Sequence, residues 1–213
     1  MVLSILDWML VGLGFSGALA ILFFFRSARQ RWHTPPELVP HFSPRGGCTE
    51  AIVRELNLAR REILVQAYSF SCPEIANALI AARKKGVVVH VVLDRSNEKE
   101  TYSELGPLEE HGIDVQIDSH HAIAHNKVMV IDRKTIVTGS FNFTRQAEHE
   151  NAENMLIIRG HPDLVTAYIH NFHSHREHSK PPEVVPPAKA VLEDRPRSLE
   201  IHRPESNAIE ASV

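Results

Sequence analysis

The sequence has few cysteines and no excess of positive charge. Cys48 and Cys72 are too few to build a disulfide framework, and neither stands in a CxxC pair of the kind that indicates a zinc ribbon. The formal net charge of −3 argues against a basic protein that coats DNA, although it leaves room for a local basic groove. Hydrophobic residues make up 43% and charged residues 23% of the 213 positions, which excludes a wholly disordered or fibrous chain. Histidine, with fourteen residues, is the one amino acid present in unusual number.

The beginning of the chain predicts a membrane segment. The eighteen residues from Trp8 to Phe25 carry no charge, and a helix of that length rises about 27 Å, close to the thickness of a bilayer core. Arginines follow this run and none precedes it, which favours an uncleaved anchor over residues 1–27, with the rest of the chain on the cytoplasmic side. A cleaved signal peptide is the alternative, because Ala-Leu-Ala at residues 18–20 has the spacing of a cleavage site, and the protein would then be periplasmic or secreted.

Two proline-rich stretches lie on either side of a central domain. Four prolines fall within residues 32–44, and we expect a stiff, extended spacer over residues 28–44. Six prolines, scattered charges and little apolar periodicity predict a disordered tail over residues 179–213. The domain that remains, residues 45–178, is long enough to bury a single hydrophobic core.

Helical and strand patterns alternate within the central domain. Helices are predicted at 49–61, 71–86, 101–111 and 161–175, and strands at 63–70, 87–94, 113–117, 125–132, 135–140 and 154–159. Thr49 is the expected N-cap of the first helix, and a tight turn joins the strands on either side of Arg133-Lys134. The alternation predicts an α/β fold with a mixed, largely parallel β-sheet flanked by helices on both faces, preceded by one transmembrane helix.

The most informative stretch is residues 125–142, HNKVMVIDRKTIVTGSFN. His125 and Lys127 are two positions apart on a predicted strand, so both side chains leave the same face. Ser140 and Asn142 are also two apart, just past the end of the neighbouring strand. An imidazole, an ammonium and two neutral hydrogen-bonding groups can therefore converge. That set suits a phosphodiester, because the lysine supplies charge, the serine and asparagine bind oxygens, and the histidine does covalent or proton chemistry.

This stretch resembles the signature of the phospholipase D superfamily. The segment that starts at His125 has the HxKxxxxD pattern, and the segment that starts at Gly139 has the trailing GSxN. The resemblance covers residues 41–175 and includes AYSF at 67–70 and the acidic Glu153 in ENAEN. The chain is similar to the small bacterial Nuc-type endonucleases, and then to the mitochondrial cardiolipin hydrolase and Zucchini-type nucleases. The resemblance implies the phospholipase D-like fold for residues 45–178.

The resemblance also implies a role for each residue of the signature. His125 would attack phosphorus and form a phosphohistidine. Lys127 and Asn142 would hold phosphate oxygens, with Ser140 nearby. No metal and no cofactor is implied.

Two acidic residues complete the implied catalytic set. Glu153 would hydrogen-bond the imidazole of His125 and set its tautomer, as a third group orients the base in a triad. Asp132 belongs to the catalytic signature, and we expect it to act as a structural partner at the end of its strand.

The family mechanism uses two histidines, of which the second protonates the leaving oxygen. The complete signature occurs once in this chain, and the other candidate, His90-Val91-Val92, lacks the lysine. The sequence therefore predicts a two-fold homodimer with one composite active site.

The function predicted from the resemblance is a metal-independent phosphodiesterase that acts through a phosphohistidine. An endonuclease that cleaves DNA or RNA is favoured, because the core shows no apolar insertion that could admit two acyl chains. The alternative is a phospholipase D that hydrolyses phosphatidylcholine or cardiolipin-type phospholipids to phosphatidic acid, which the membrane segment favours. A non-catalytic, membrane-tethered dimer that binds nucleic acid is a weaker alternative, because the signature is intact.

Several further histidines have two interpretations. His120 and His121 either line the phosphate channel or belong to a loop. Four more histidines lie between residues 170 and 178, and such a run can bind a metal, but at an exposed helix end it is more often a solvated polar face.

Overall fold

A single sheet with helices on both faces forms from residues 35–183, the part of the chain that this computed structural model describes. The strands are β1 (Glu37–Phe42), β2 (Glu62–Ala67), β3 (Val88–Asp94), β4 (Asp114–Asp118), β5 (Lys127–Ile131), β6 (Thr135–Gly139) and β7 (Asn154–Arg159). The helices are α1 (Cys48–Leu58), α2 (Pro73–Lys84), α3 (Leu105–Glu110), α4 (Arg145–His149) and α5 (Pro162–His178), with a 3-10 turn at Arg95–Glu98 after β3.

The central strands are apolar along their whole length because both faces of the sheet are covered. Every residue of β5 is buried, and so are five of the six residues of β2. Helices α1 to α4 pack on one face, where Ile52 and Leu79 belong to the larger apolar cluster. Helix α5 covers the other face with Val165, Ile169 and Phe172. The predicted α/β fold with helices on both faces is therefore confirmed.

The prediction of a largely parallel sheet is wrong. The strand order is β1-β7-β6-β5-β2-β3-β4, and only the β2–β3 and β3–β4 pairs are parallel, whereas the other four neighbouring pairs are antiparallel. The reason is the length of the connections. Only residues 132–134 join β5 to β6, whereas a parallel pair needs a crossover of about a dozen residues. Asp132 and Arg133, with φ of 53° and 55°, form the centre of this tight turn.

Strand β1 lies inside the segment that the sequence assigns to a spacer. Residues 37–42 pair with β7 from Glu37–Arg159 to Phe42–Asn154, so this part of the segment belongs to the sheet. Pro40 is compatible with that position because β1 is an outer strand, where a missing backbone donor is tolerated. Proline content alone therefore does not separate a spacer from an outer strand.

The predicted anchor, residues 1–27, lies outside the described residues, and so does the predicted tail beyond residue 183. None of the helices between residues 35 and 183 combines the length and the apolar character that crossing a bilayer requires. The first residues after α5 are described, and Lys180 exchanges two backbone hydrogen bonds with Ile117 of β4, at 2.7 and 3.0 Å.

Candidate active site

The strand directions bring the signature residues to one end of the sheet. Strands β1, β2, β3, β4 and β6 finish at this end, and β5 and β7 begin there, so we call it the motif end. Lys127 lies opposite Ala67 of β2, and Gly139 of β6 lies opposite Met155 of β7. The segments that carry His125, Ser140, Asn142 and Glu153 adjoin these positions. The backbone therefore brings all of these segments to the motif end.

His125 and Lys127 share one aromatic neighbour. The imidazole of His125 is exposed, and its ring centroid lies 4.6 Å from that of Tyr68. The Lys127 ammonium lies 4.9 Å from the centre of the same phenol ring and donates a hydrogen bond of 3.1 Å to the carbonyl oxygen of His125. Lys127 is only 7% exposed, so its charge is held at the site by packing. Tyr68 therefore supports both groups, a role that the sequence did not indicate beyond its place in AYSF.

Burial and a nearby carboxylate act in opposite directions on Lys127. Burial lowers the pKa of its ammonium, because the charged form is poorly solvated, and the negative charge of Glu153 opposes part of that change. The pKa of Lys127 is lowered from its usual value as the net result. Glu153 therefore contributes to the charge balance of the site through Lys127.

The hydrogen bond expected between Glu153 and His125 is not formed within residues 35–183 of the single chain. The Glu153 carboxylate instead accepts a hydrogen bond of 3.1 Å from the side chain of Asn151. Its backbone oxygen accepts another from the amide of Ser43, at 3.1 Å, which ties the segment before β7 to the end of β1.

The GSxN segment is held by the backbone of β7. A Cβ atom on Gly139 would lie 2.3 Å from the carbonyl oxygen of Asn154, so only glycine permits this approach. The Ser140 hydroxyl accepts hydrogen bonds from the amide of Asn154 at 3.0 Å and from its side chain at 3.3 Å. Ser140 thus serves first to dock the end of β6 on β7, and its exposed hydroxyl lies at the motif end.

Asn142 has an unsatisfied side chain. It is half-buried, and its Oδ1 is fully buried without a hydrogen-bond partner among the described residues. Its backbone oxygen accepts a hydrogen bond of 2.8 Å from the amide of Thr144, the N-cap of α4. A buried, unpaired amide oxygen is costly in a folded protein unless a ligand or a second chain donates a hydrogen bond to it.

Asp132 lies at the opposite end of the sheet from the other signature residues. The five residues of β5 separate it from the motif end, roughly 17 Å of extended chain. Its carboxylate accepts hydrogen bonds from the backbone amides of Arg60, Arg61 and Glu62, at 2.9, 2.7 and 3.1 Å. Asp132 therefore holds the loop before β2, and no hydrogen bond within residues 35–183 joins it to His125, Lys127, Ser140 or Asn142.

A buried aspartate positions the loop that leads to His125. Asp94, at the end of β3, is 3% exposed and accepts a hydrogen bond of 2.7 Å from the amide of Ala124. The Arg95 guanidinium donates to the carbonyl oxygen of Ala122 at 3.1 Å. The sequence analysis predicted neither contact. The position of Asp94 at the carboxyl end of an apolar strand is the pattern that could have indicated its role.

His120 and His121 belong with the histidines at the end of α5. His121 hydrogen-bonds Asp118 at 2.9 Å, and the ring of His120 lies 4.7 Å from that of His178. His175 and His178 also reach Asp118, whereas His170 and His173 are exposed. The predicted solvated face thus holds only for the first two histidines of the run.

The mixed α/β sheet carries HxK at the beginning of β5 and GSxN at the end of β6. The profile of the family described as "Cardiolipin synthase, PLD-like domain" matches residues 52–176. The chain belongs to the phospholipase D superfamily, and the resemblance inferred from the signature is confirmed.

Proteins similar to this chain carry several names. A phospholipase D of Rickettsia typhi is 46% identical over 135 residues, which cover 63% of this chain and 66% of that protein. The human mitochondrial cardiolipin hydrolase is 30% identical over 158 residues, covering 73% of this chain and 62% of that protein. The matched region is thus slightly less than two thirds of the length of these relatives. The crystal structure of Nuc from Salmonella typhimurium, a phospholipase D family member, has a TM-score of 0.67 and 32% identity, covering 69% of this chain and 98% of Nuc.

Proposed function

We propose that the protein is a phosphodiesterase that hydrolyses its substrate through a phosphohistidine on His125. The observation that carries this proposal is the convergence of an exposed imidazole, a buried ammonium and the half-buried side chain of Asn142 at the motif end. His125 can be reached by a substrate, whereas Lys127 is held in place by Tyr68. Such a preorganised cation is what stabilises charge on a phosphate in the transition state.

The reaction that we propose has two displacements. His125 attacks phosphorus, the bond between phosphorus and the leaving oxygen breaks, and the partner subunit's His125 gives that oxygen a proton. Water then attacks the phosphohistidine and loses a proton to the partner subunit's His125, which restores both imidazoles. Lys127 and Asn142 bind the non-bridging oxygens in both steps.

A second copy of the chain is part of this proposal. His90, the other histidine considered for the role, is paired with Asp114 at 2.8 Å on the α5 side of β3 and β4. We therefore infer that the second imidazole comes from a two-fold partner, which places one composite site across a dimer interface.

We propose a phospholipid as the substrate. Three of the large apolar side chains that are exposed lie in segments at the motif end: Phe42 is 63%, Tyr102 85% and Ile123 59% exposed. Phe42 is paired with Asn154, which binds Ser140, and Ile123 is two residues before His125. The sequence-based preference for nucleic acid depends on the lack of apolar groups near the site, and these side chains supply such a surface. The relatives named phospholipase D and cardiolipin hydrolase support the same substrate.

The apolar run at the beginning of the chain supports a lipid substrate as well. An anchor over residues 1–27 would hold the domain beside a bilayer, and we propose a single-pass membrane protein with the domain on the cytoplasmic side. A nucleic-acid substrate is the second candidate, favoured by the likeness to Nuc-type endonucleases that the signature carries and by the 32% identity to Nuc.

The test compares both substrates on the full chain in excess EDTA. The protein is incubated with vesicles of phosphatidylcholine and cardiolipin, and separately with labelled single-stranded DNA and RNA. We expect phosphatidic acid to appear while the polynucleotides stay intact. We expect the His125→Ala variant to lose at least about 10²–10⁴-fold in rate, the range of an acid–base group alone. His170→Ala, which removes an exposed histidine of α5, is the matched control.

Each other outcome has a defined meaning. Cleaved polynucleotide with intact lipid would reverse the choice of substrate but keep the mechanism. Undiminished turnover by His125→Ala would refute the phosphohistidine. Binding of nucleic acid without turnover of any substrate would support the non-catalytic alternative.

A further inference from the structure

A buried carboxylate binds three imidazoles at the β4 edge of the sheet, where β4 finishes at the motif end. The Asp118 cluster consists of Asp118, His121, His175 and His178. Asp118 accepts hydrogen bonds from His121 Nδ1 at 2.9 Å, from His175 Nδ1 at 2.8 Å and from His178 Nε2 at 3.3 Å. One ligand atom from each of the four residues lies within 4.8 Å of all the others.

Three separate parts of the chain hold the cluster together. Asp118 is the last residue of β4, His121 lies in the loop that follows, and the other two histidines are three positions apart on one face of α5. The Asp118 side chain is completely buried, and its Oδ1 also accepts hydrogen bonds from the amides of His120 and His121, at 3.1 and 3.3 Å. The two hydrogen bonds between Ile117 and Lys180 fix the end of α5 beside β4.

The donor set is that of a transition-metal site. Three imidazole nitrogens and one carboxylate oxygen are ligands that Zn²⁺ takes in tetrahedral geometry, with bonds of about 2.0–2.2 Å. Tetrahedral ligands at that distance lie roughly 3.4 Å apart, which falls among the separations already present in the cluster. A solvated histidine face would not need a fully buried carboxylate at its centre.

We propose that the Asp118 cluster is a structural site for Zn²⁺. Four protein ligands make a closed site, which leaves no open position for chemistry on the metal. The site is separate from the signature residues, because β4 is three strands from β5, about 14 Å at the usual strand spacing. Binding links α5 and β4 to the loop that continues to His125, so the metal stabilises the segment that carries the nucleophile.

Metal binding is tested on the full chain, purified without a histidine tag and dialysed against EDTA. We expect the wild type to bind one Zn²⁺ per chain, and Co²⁺ in its place to give the intense visible absorption of a tetrahedral site. In the double variant His121→Ala and His178→Ala, we expect affinity to fall by at least about 10–100-fold, since even groups outside the first ligand sphere cost that much. Both side chains are partly exposed, at 43% and 29%, so the variant is expected to fold.

The matched control is the double variant His170→Ala and His173→Ala, which removes two exposed histidines from the same helix. We expect it to bind Zn²⁺ and Co²⁺ like the wild type. Equal Zn²⁺ affinity in the wild type and the cluster variant would overturn the proposal, and so would an octahedral Co²⁺ spectrum in the wild type. The readout needs no substrate, so the metal site and the proposed phosphodiesterase activity stand or fall independently.

Discussion

Lys127 combines burial with a positive charge, and this combination predicts how its ammonium titrates. In the proposed mechanism the ammonium binds phosphate, and burial lowers its pKa. We therefore expect the Lys127 ammonium to titrate below pH 10.5, the ordinary value for lysine. Because the charge of Glu153 raises the pKa of Lys127, the Glu153→Gln variant should move that titration to still lower pH.

The measurement is an NMR titration of the Lys127 side chain in wild type and variant, with its signal assigned by comparison with Lys127→Arg. Glu109→Gln, at an exposed position on α3, is the control and should leave the titration in place. A Lys127 titration that does not move in Glu153→Gln would show that the carboxylate does not act through Lys127.

At the level of single residues, spacing along the chain predicts less than the contacts between segments show. The two-residue separation of His125 and Lys127 predicts a shared strand face, whereas β5 begins at Lys127 and His125 precedes it. Tyr68, in the segment after β2, contacts His125, and Asp94 reaches Ala124 across thirty positions. No local pattern in the sequence shows such contacts.

A substitution at Asp132 tests whether the signature aspartate stabilises the fold or takes part in catalysis. It accepts three backbone hydrogen bonds in the loop before β2, and these lower the pKa of its carboxyl against the opposing effect of burial. We expect Asp132→Asn to reduce the free energy of unfolding by about 1–3 kcal/mol at pH 7, because hydrogen bonds to a charged group are weakened. The kcat of the folded variant should be close to that of the wild type.

The pH dependence gives a second readout from urea unfolding. A carboxyl whose pKa is lowered by folding stabilises the protein fully above its unfolded pKa of about 3.9 and loses that contribution as the pH falls. The difference between wild type and Asp132→Asn should therefore shrink between pH 7 and pH 3. Asp163→Asn, at an exposed position on α5, should show little difference at either pH. A large loss of kcat with unchanged stability would instead assign Asp132 to catalysis.

At the level of elements, the sequence predicts which helices and strands exist better than it predicts whether neighbouring strands are parallel or antiparallel. The β5–β6 hairpin and helix α5 follow from periodicity and turn residues. The expected N-cap Thr49 is wrong, because α1 begins at Cys48 after Gly47, and the carboxylate of Glu148 binds the amides of Gly47 and Thr49 at 2.9 and 2.7 Å. That cap comes from about a hundred positions further along the chain, where no local capping rule applies.

At the level of the whole molecule, the proposed mechanism needs His125 from two subunits in one site. This requirement can be tested by mixing wild-type and variant chains. Wild type is co-expressed with a ninefold excess of His125→Ala. If each site needs His125 from both subunits, random pairing leaves about a tenth of the wild-type chains with a wild-type partner, and activity per wild-type chain falls to about a tenth.

With an equal excess of His170→Ala, which is itself expected to be active, the activity per total chain should stay at the wild-type value. Activity per wild-type chain that is insensitive to the His125→Ala excess would mean that one subunit is sufficient. Sedimentation of the purified chain in detergent gives the independent measure of whether a dimer forms.

The two outer strands bear on how the protein avoids aggregation. An outer strand presents unpaired backbone groups on which another sheet can add. Strand β1 contains Pro40, which has no amide hydrogen to offer an incoming strand. Strand β4 begins and ends with an aspartate, and Lys180 already occupies the backbone of Ile117. A chain that stops before Lys180 would expose that position of β4, and its first defect would be a loss of solubility, with the fold and the chemistry of the motif end still intact.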